Sequence, residues 1–132
     1  MSVVDASVLV EYLAGGEHVE AARGAIRRER WVWAPDLVDA EVGNALRRQV
    51  RGKEISVRKA GAALEDFLDM RLQRVPHRGL VERAWQLRDN VSFYDALYVA
   101  LAEALGAPLL TLDARLARVP GVRAEVELIA PV

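Results

Sequence analysis

Asp5, Glu41, Asp95 and Asp113 each stand within or at the end of an apolar segment of the sequence. Ionised carboxylates seldom enter apolar surroundings unless paired or bound to a metal. Taken singly, each has a local explanation. Asp5 and Asp113 can cap or open the turns that follow them, and Glu41 can sit on a solvated helix face. Ser92 and Asp95 fit a capping box, an N-cap hydroxyl with an acid three residues later. Taken together they pose an electrostatic problem. Two unit charges about 4 Å apart repel by roughly 4 kcal/mol at an effective dielectric near 20. Convergent carboxylates must therefore take up protons or bind a hard cation. With no Cys and only two His in the chain, an oxygen-only ligand set points to Mg²⁺ or Mn²⁺. Such an ion lowers the pKa of a bound water and shields a phosphodiester as charge builds up on it. Ser7, Asn44, Ser92 and Thr111 lie near the four acids in sequence and are candidates for orienting ligands or water. Ser7 and Ser92 also read as helix caps.

Short strands and helices must bring these groups together. Residues 1–5 read as a strand ending in Asp5, and residues 8–13 as a helix stopped by Gly15-Gly16. A helix follows over 17–30, then a strand over Trp31–Ala34 closed by Pro35. Asp36 is positioned to N-cap a helix running to Arg51, on which Glu41, Asn44 and Arg48 share one face by their spacing. Ser56 caps the next helix, residues 72–75 form a strand before Pro76, and 77–90 read as a helix. The stretch 92–103 is apolar nearly all round, which marks a buried helix, here ended by Gly106. A strand over 108–112 leads into Asp113, a helical turn spans 114–118, and 125–129 is a last strand. Strands alternating with helices predict an α/β fold with a parallel sheet. Such sheets bind ligands beyond the carboxyl ends of their strands, where the strand order reverses. Asp5 and Asp113 both occupy strand ends of that kind.

The length of 132 residues predicts a single domain over 1–132. No apolar run reaches the ~18 residues of a membrane span, and the N-terminus lacks a signal-peptide pattern. Together with the absence of Cys, this predicts a cytoplasmic protein and excludes disulfide, zinc–thiolate and cysteine-nucleophile chemistry. The net charge is −1, so bulk charge predicts no nucleic-acid affinity, and only local clusters can supply it.

Four stretches resemble the successive motifs of PIN-domain proteins, with the match closest to toxins of the VapC type. They are Val3-Val-Asp-Ala-Ser-Val-Leu-Val-Glu11, Glu41-Val-Gly-Asn-Ala-Leu-Arg47, the helix from Ser92 to Glu103, and Leu110-Thr-Leu-Asp-Ala-Arg-Leu116. They cover essentially the whole chain in order. The resemblance implies a three-layer α/β/α sandwich around a mainly parallel sheet. It also implies a Mg²⁺- or Mn²⁺-dependent endoribonuclease, a cognate antitoxin as partner, and a homodimer. Carried over by motif, Asp5, Glu41, Asp95 and Asp113 are the acidic metal-site residues. Ser7 and Thr111 match polar positions beside the site, and Asn44 one on the Glu41 helix.

An RNA substrate requires local positive charge. Arg47, Arg48, Arg51, Lys53, Arg58 and Lys59 cluster against the single acid Glu54, and Arg23, Arg27, Arg28 and Arg30 form a second group. Single-stranded RNA can track a groove lined in this way. Trp31, Trp33 and Trp85 read as core or interface residues. A non-catalytic RNA- or partner-binding module of the same fold is the competing reading. Clustered acids argue against it, because a phosphate-binding surface without metal would not gather negative charge. Aspartyl-phosphate chemistry fits less well: Ser7 stands where a haloacid-type phosphatase needs a second Asp, and no lysine follows Lys59.

Overall fold

In the computed structural model, residues 1–129 are described; residues 130–132, the end of the expected single domain, lie outside them. Five strands form one sheet: β1 (Ser2–Val4), β2 (Val32–Pro35), β3 (Leu72–Val75), β4 (Leu109–Thr111) and β5 (Val126–Leu128). Their order is β3-β2-β1-β4-β5, and every pairing is parallel. From β1 the chain builds outward through β2 to β3, then returns to the other side of β1 through β4 to β5. The order therefore reverses between β1 and β4. That seam is where a parallel sheet opens a crevice beyond its strand ends.

Six α-helices cover the sheet: α1 (Ala6–Ala14), α2 (Val19–Arg27), α3 (Val38–Arg51), α4 (Val57–Asp69), α5 (Val81–Gln86) and α6 (Phe93–Leu105). The result is the α/β sandwich expected from the strand–helix alternation. Helix α6 lies across β1, β2 and β4 with α5 packed beside it, while α1 sits at the centre of a second group with α2, α3 and α4. The all-apolar reading of α6 holds, because every residue from Ala96 to Ala102 is buried. Its last turn closes on Gly106, whose φ of +62° is the left-handed conformation that favours glycine. The strand residues Val3, Val4, Leu109 and Leu110 are sealed from solvent between the helical layers. Among the described residues, no helix is long and apolar enough to cross a membrane.

Three local expectations are corrected. Asp36 does not cap α3; the N-cap is Leu37, with no side-chain cap, and its N–H donates instead to His77 Nε2 at 2.9 Å. An imidazole from a distant loop thus does the work of a cap. The segment expected as one helix over 77–90 is a 3₁₀ turn, Arg78–Leu80, followed by α5, which stops at Gln86. Of the core or interface places expected for the tryptophans, Trp31 and Trp85 do not take the core one, being 44% and 57% exposed. Trp85 instead carries the Arg88 guanidinium over its ring, 4.8 Å from the centroid.

Candidate active site

The crevice at the β1/β4 seam gathers side chains from four elements. Asp5 comes from the end of β1, Glu41 from α3, Asp95 and Tyr98 from α6, and Asp113 from beyond β4; all five line one cleft with a volume of about 420 Å³. Asp5 is fixed most tightly. Its N–H continues the β ladder by donating to Leu110 O at 3.1 Å. Its carboxylate accepts from Ser7 Oγ at 2.5 Å, from Val8 N at 3.2 Å and from Thr111 Oγ1. Asp5 therefore caps α1 and also faces the cleft. Thr111 in turn accepts from Asp113 N at 3.0 Å, and Ser7 Oγ from Leu112 N at 3.3 Å. These bonds stitch the end of β1 to the end of β4.

Electrostatics set the acids apart from ordinary surface carboxylates. Burial pushes the Asp5 carboxyl up from 3.8 to about 6, against its three hydrogen bonds, with a further rise from the Asp95 charge. Burial also raises Glu41 and Asp95; the Asp95 charge adds to the rise at Glu41, and the Asp113 charge to that at Asp95. Asp113 goes the other way. Hydrogen bonds from Arg115 hold it below its usual range, with Arg115 Nη2 at 2.8 Å from Oδ2. The phenol of Tyr98 is held protonated, first by burial and then by its hydrogen bond to Glu41. The Asp95 charge thus bears on both Asp5 and Glu41, and the Asp113 charge on Asp95, in a partly desolvated space.

The remaining sequence-derived candidates divide by position. Ser92 caps α6 by accepting from Asp95 N at 3.1 Å, and it lines a neighbouring hollow rather than the cleft itself. Asn44 is exposed and does not line the cleft; the contacts on that side of α3 are Glu41, Ala45, Arg48 and Gln49. The basic cluster also separates. Arg48 faces the acids, whereas Arg47 and Arg51 border a different groove with Leu46, Val50, Ala60 and Leu64. Lys53 sits in the turn after α3 with φ +58°. Sequence reasoning missed Tyr98, Glu11 and Arg115. Tyr98 reads as one more apolar residue of α6. Glu11 lines the cleft and accepts from His18 N at 3.1 Å, tying down the α1–α2 turn. The spacing of Glu11 four residues after Ser7 on α1, which puts the two on one face, is the sequence signal of its place.

The donor chemistry of the cleft fits a hard divalent cation. It is all oxygen, and three of its carboxyls carry pKa values raised by burial and by a neighbouring acid's charge, a cost that a dication would relieve. Among the described residues no three acidic side chains already stand as a finished ligand group. Three of the four have protein partners instead: Ser7 and Thr111 for Asp5, Tyr98 for Glu41, and Arg115 for Asp113.

Residues 2–122 match the PIN domain family. The chain belongs to the PIN-domain family. It is 52% identical over 129 residues to the ribonuclease VapC1 of Mycobacterium tuberculosis, a match covering 96% of both chains. It is 40% identical over 130 residues to the ribonuclease VapC12 of the same organism, covering 98% of this chain and all of the other. The PIN-domain resemblance read from four motifs therefore holds, as does its VapC direction. Solved structures share the fold. VapC20 of M. tuberculosis, described as a toxin that cleaves the sarcin–ricin loop, superposes with a TM-score of 0.69 at 22% identity, covering 86% of this chain and 91% of that one. A toxin–antitoxin complex from Klebsiella pneumoniae gives a TM-score of 0.72 at 15% identity, covering both chains fully.

Proposed function

We propose that this PIN-domain chain is an endoribonuclease, the toxin of a VapBC-type pair, which cuts RNA phosphodiesters with a metal-activated water. The observation that carries the reading is the cleft at the β1/β4 seam, where carboxylates from four separate elements meet. Identity to named VapC ribonucleases along nearly the whole chain supports the same chemistry. Asp5, Glu41 and Asp95 would hold Mg²⁺ or Mn²⁺, with Asp113 joining on release from Arg115. A divalent ion held there would supply Lewis acidity, activating water and shielding the phosphoryl oxygens. Ser7 and Thr111 keep the Asp5 oxygens aimed by donating to both of them. Arg48 and Arg115 line the same cleft and provide the positive charge that a phosphate needs there.

Solved toxin–antitoxin complexes that share the fold support the partner assignment: a cognate antitoxin holds the protein in check, and the homodimer is what the family resemblance implies. The test is cleavage of structured and unstructured RNA with Mn²⁺ or Mg²⁺, then with EDTA. Cation-dependent cutting that EDTA stops is the expected result. RNA binding without cutting, indifferent to the cation, would replace this reading with that of a binding module.

A further inference from the structure

Tyr98 stands on α6 three residues after Asp95, so the two side chains share one face of that helix. The residue is 2% exposed, yet its phenol reaches the acid cleft and donates to Glu41 Oε1 at 2.6 Å. This is the one hydrogen bond found to the Glu41 side chain among the described residues. Glu41 has three side-chain torsions and comes from α3, so without a tether its carboxylate would sample several positions over the cleft. Asp5, by contrast, is held by three donors.

We propose that Tyr98 is a positioning residue, whose O–H fixes the Glu41 carboxylate with one oxygen engaged and the other left for the divalent cation. This inference rests on the metal-dependent nuclease reading given above. The competing explanation is that Tyr98 is a packing residue whose hydroxyl merely finds an acceptor, as buried tyrosines usually do. The two differ in what they couple. A packing role acts on the whole core; a positioning role acts through Glu41 alone.

The experiment is a double-mutant cycle with Tyr98→Phe and Glu41→Gln. Mn²⁺ affinity is read by calorimetry, RNA cleavage by kcat and KM, and folding by thermal denaturation. Tyr98→Phe keeps the ring, so the fold survives. Loss of an outer hydrogen-bond partner weakens metal affinity or activity by about 10- to 100-fold. The expected result is therefore a ~10-fold or larger rise in the Mn²⁺ Kd and a fall in kcat, with KM for RNA unchanged. In the Glu41→Gln background the same change has no further effect on Mn²⁺ affinity. Equal Mn²⁺ affinity and kcat in Tyr98→Phe and the unaltered protein would overturn the inference and leave the nuclease reading standing. Equal losses in both backgrounds would make Tyr98 a packing residue. Failure of the unaltered protein to bind Mn²⁺ would overturn the inference and the nuclease reading together.

Discussion

Replacing Asp5 with Asn is expected to stabilise the metal-free protein at neutral pH while ending cleavage. The Asp5 carboxyl is buried and titrates at about 6 instead of 3.8. At ~1.4 kcal/mol per pH unit, that displacement corresponds to about 3 kcal/mol. The sign follows from proton counting. As pH rises, the unfolded chain releases this proton near 3.8, and the folded chain only near 6. Between those values the folded state holds more protons, so stability falls as pH rises. The contribution is undiminished below about pH 4 and fully lost above about pH 6. Asn has the same shape and does not titrate. Its oxygen can accept from Ser7 Oγ and Val8 N, and its amide can donate to Thr111 Oγ1, where Asp5 now accepts. Asp5→Asn should therefore match the unaltered protein near pH 4 and exceed it by about 3 kcal/mol at pH 7 in EDTA. Urea unfolding followed by circular dichroism from pH 4 to 7.5 measures this directly. Millimolar Mn²⁺ should restore much of the deficit in the unaltered protein and little in the variant. Parallel stability curves for the two proteins across that pH range would refute the burial argument. Full cleavage activity in Asp5→Asn would remove Asp5 from the mechanism.

Further outcomes follow from the same geometry. Asp95→Asn should reduce cleavage by at least ~100-fold with the fold intact; because the Asp95 charge raises Asp5, it should also lower the pH at which stability levels off. Thr111→Val removes a donor from the buried carboxylate, so it should cost about 1.5–3 kcal/mol at pH 7 and far less at pH 4, read by the same unfolding curves. Gly16 has φ +142°, and a Cβ there would lie 2.5 Å from Glu11 Oε2; Gly16→Ala should cost about 1–3 kcal/mol by thermal denaturation. Leu110→Ala empties a fully enclosed site beside Asp5 and should cost about 2–5 kcal/mol in urea unfolding.

The acids were legible because each interrupts an apolar pattern, and a charge among hydrophobes is visible without coordinates. The parallel sheet was legible for a related reason: residues 1–5 and 108–113 are short runs that end in an acid and alternate with helical periods. What stayed hidden is what depends on side-chain reach across space. Tyr98 fits the apolar face of α6 as well as any leucine would, and nothing local says that its hydroxyl reaches α3. Asn44 shares a helical spacing with Glu41 and Arg48, but the direction of the cleft favours Ala45 and Gln49 over it. The basic residues after Glu41 look like one patch in a linear reading; helical rotation sends Arg48 toward the acids and Arg47 and Arg51 toward α4. Asp36 has the composition of a cap, but His77, 40 residues away from Leu37, satisfies the backbone there instead.

The bond from Thr111 to Asp5 spans 106 residues of chain. Its consequence is a matter of timing during translation. A ribosome that has delivered the first hundred residues has made Asp5, Glu41 and Asp95, but not the strand that aligns the first of them. Formation of the cleft thus waits for the residues of β4, and a copy released before they are made carries Asp5, Glu41 and Asp95 without the bond that aligns Asp5.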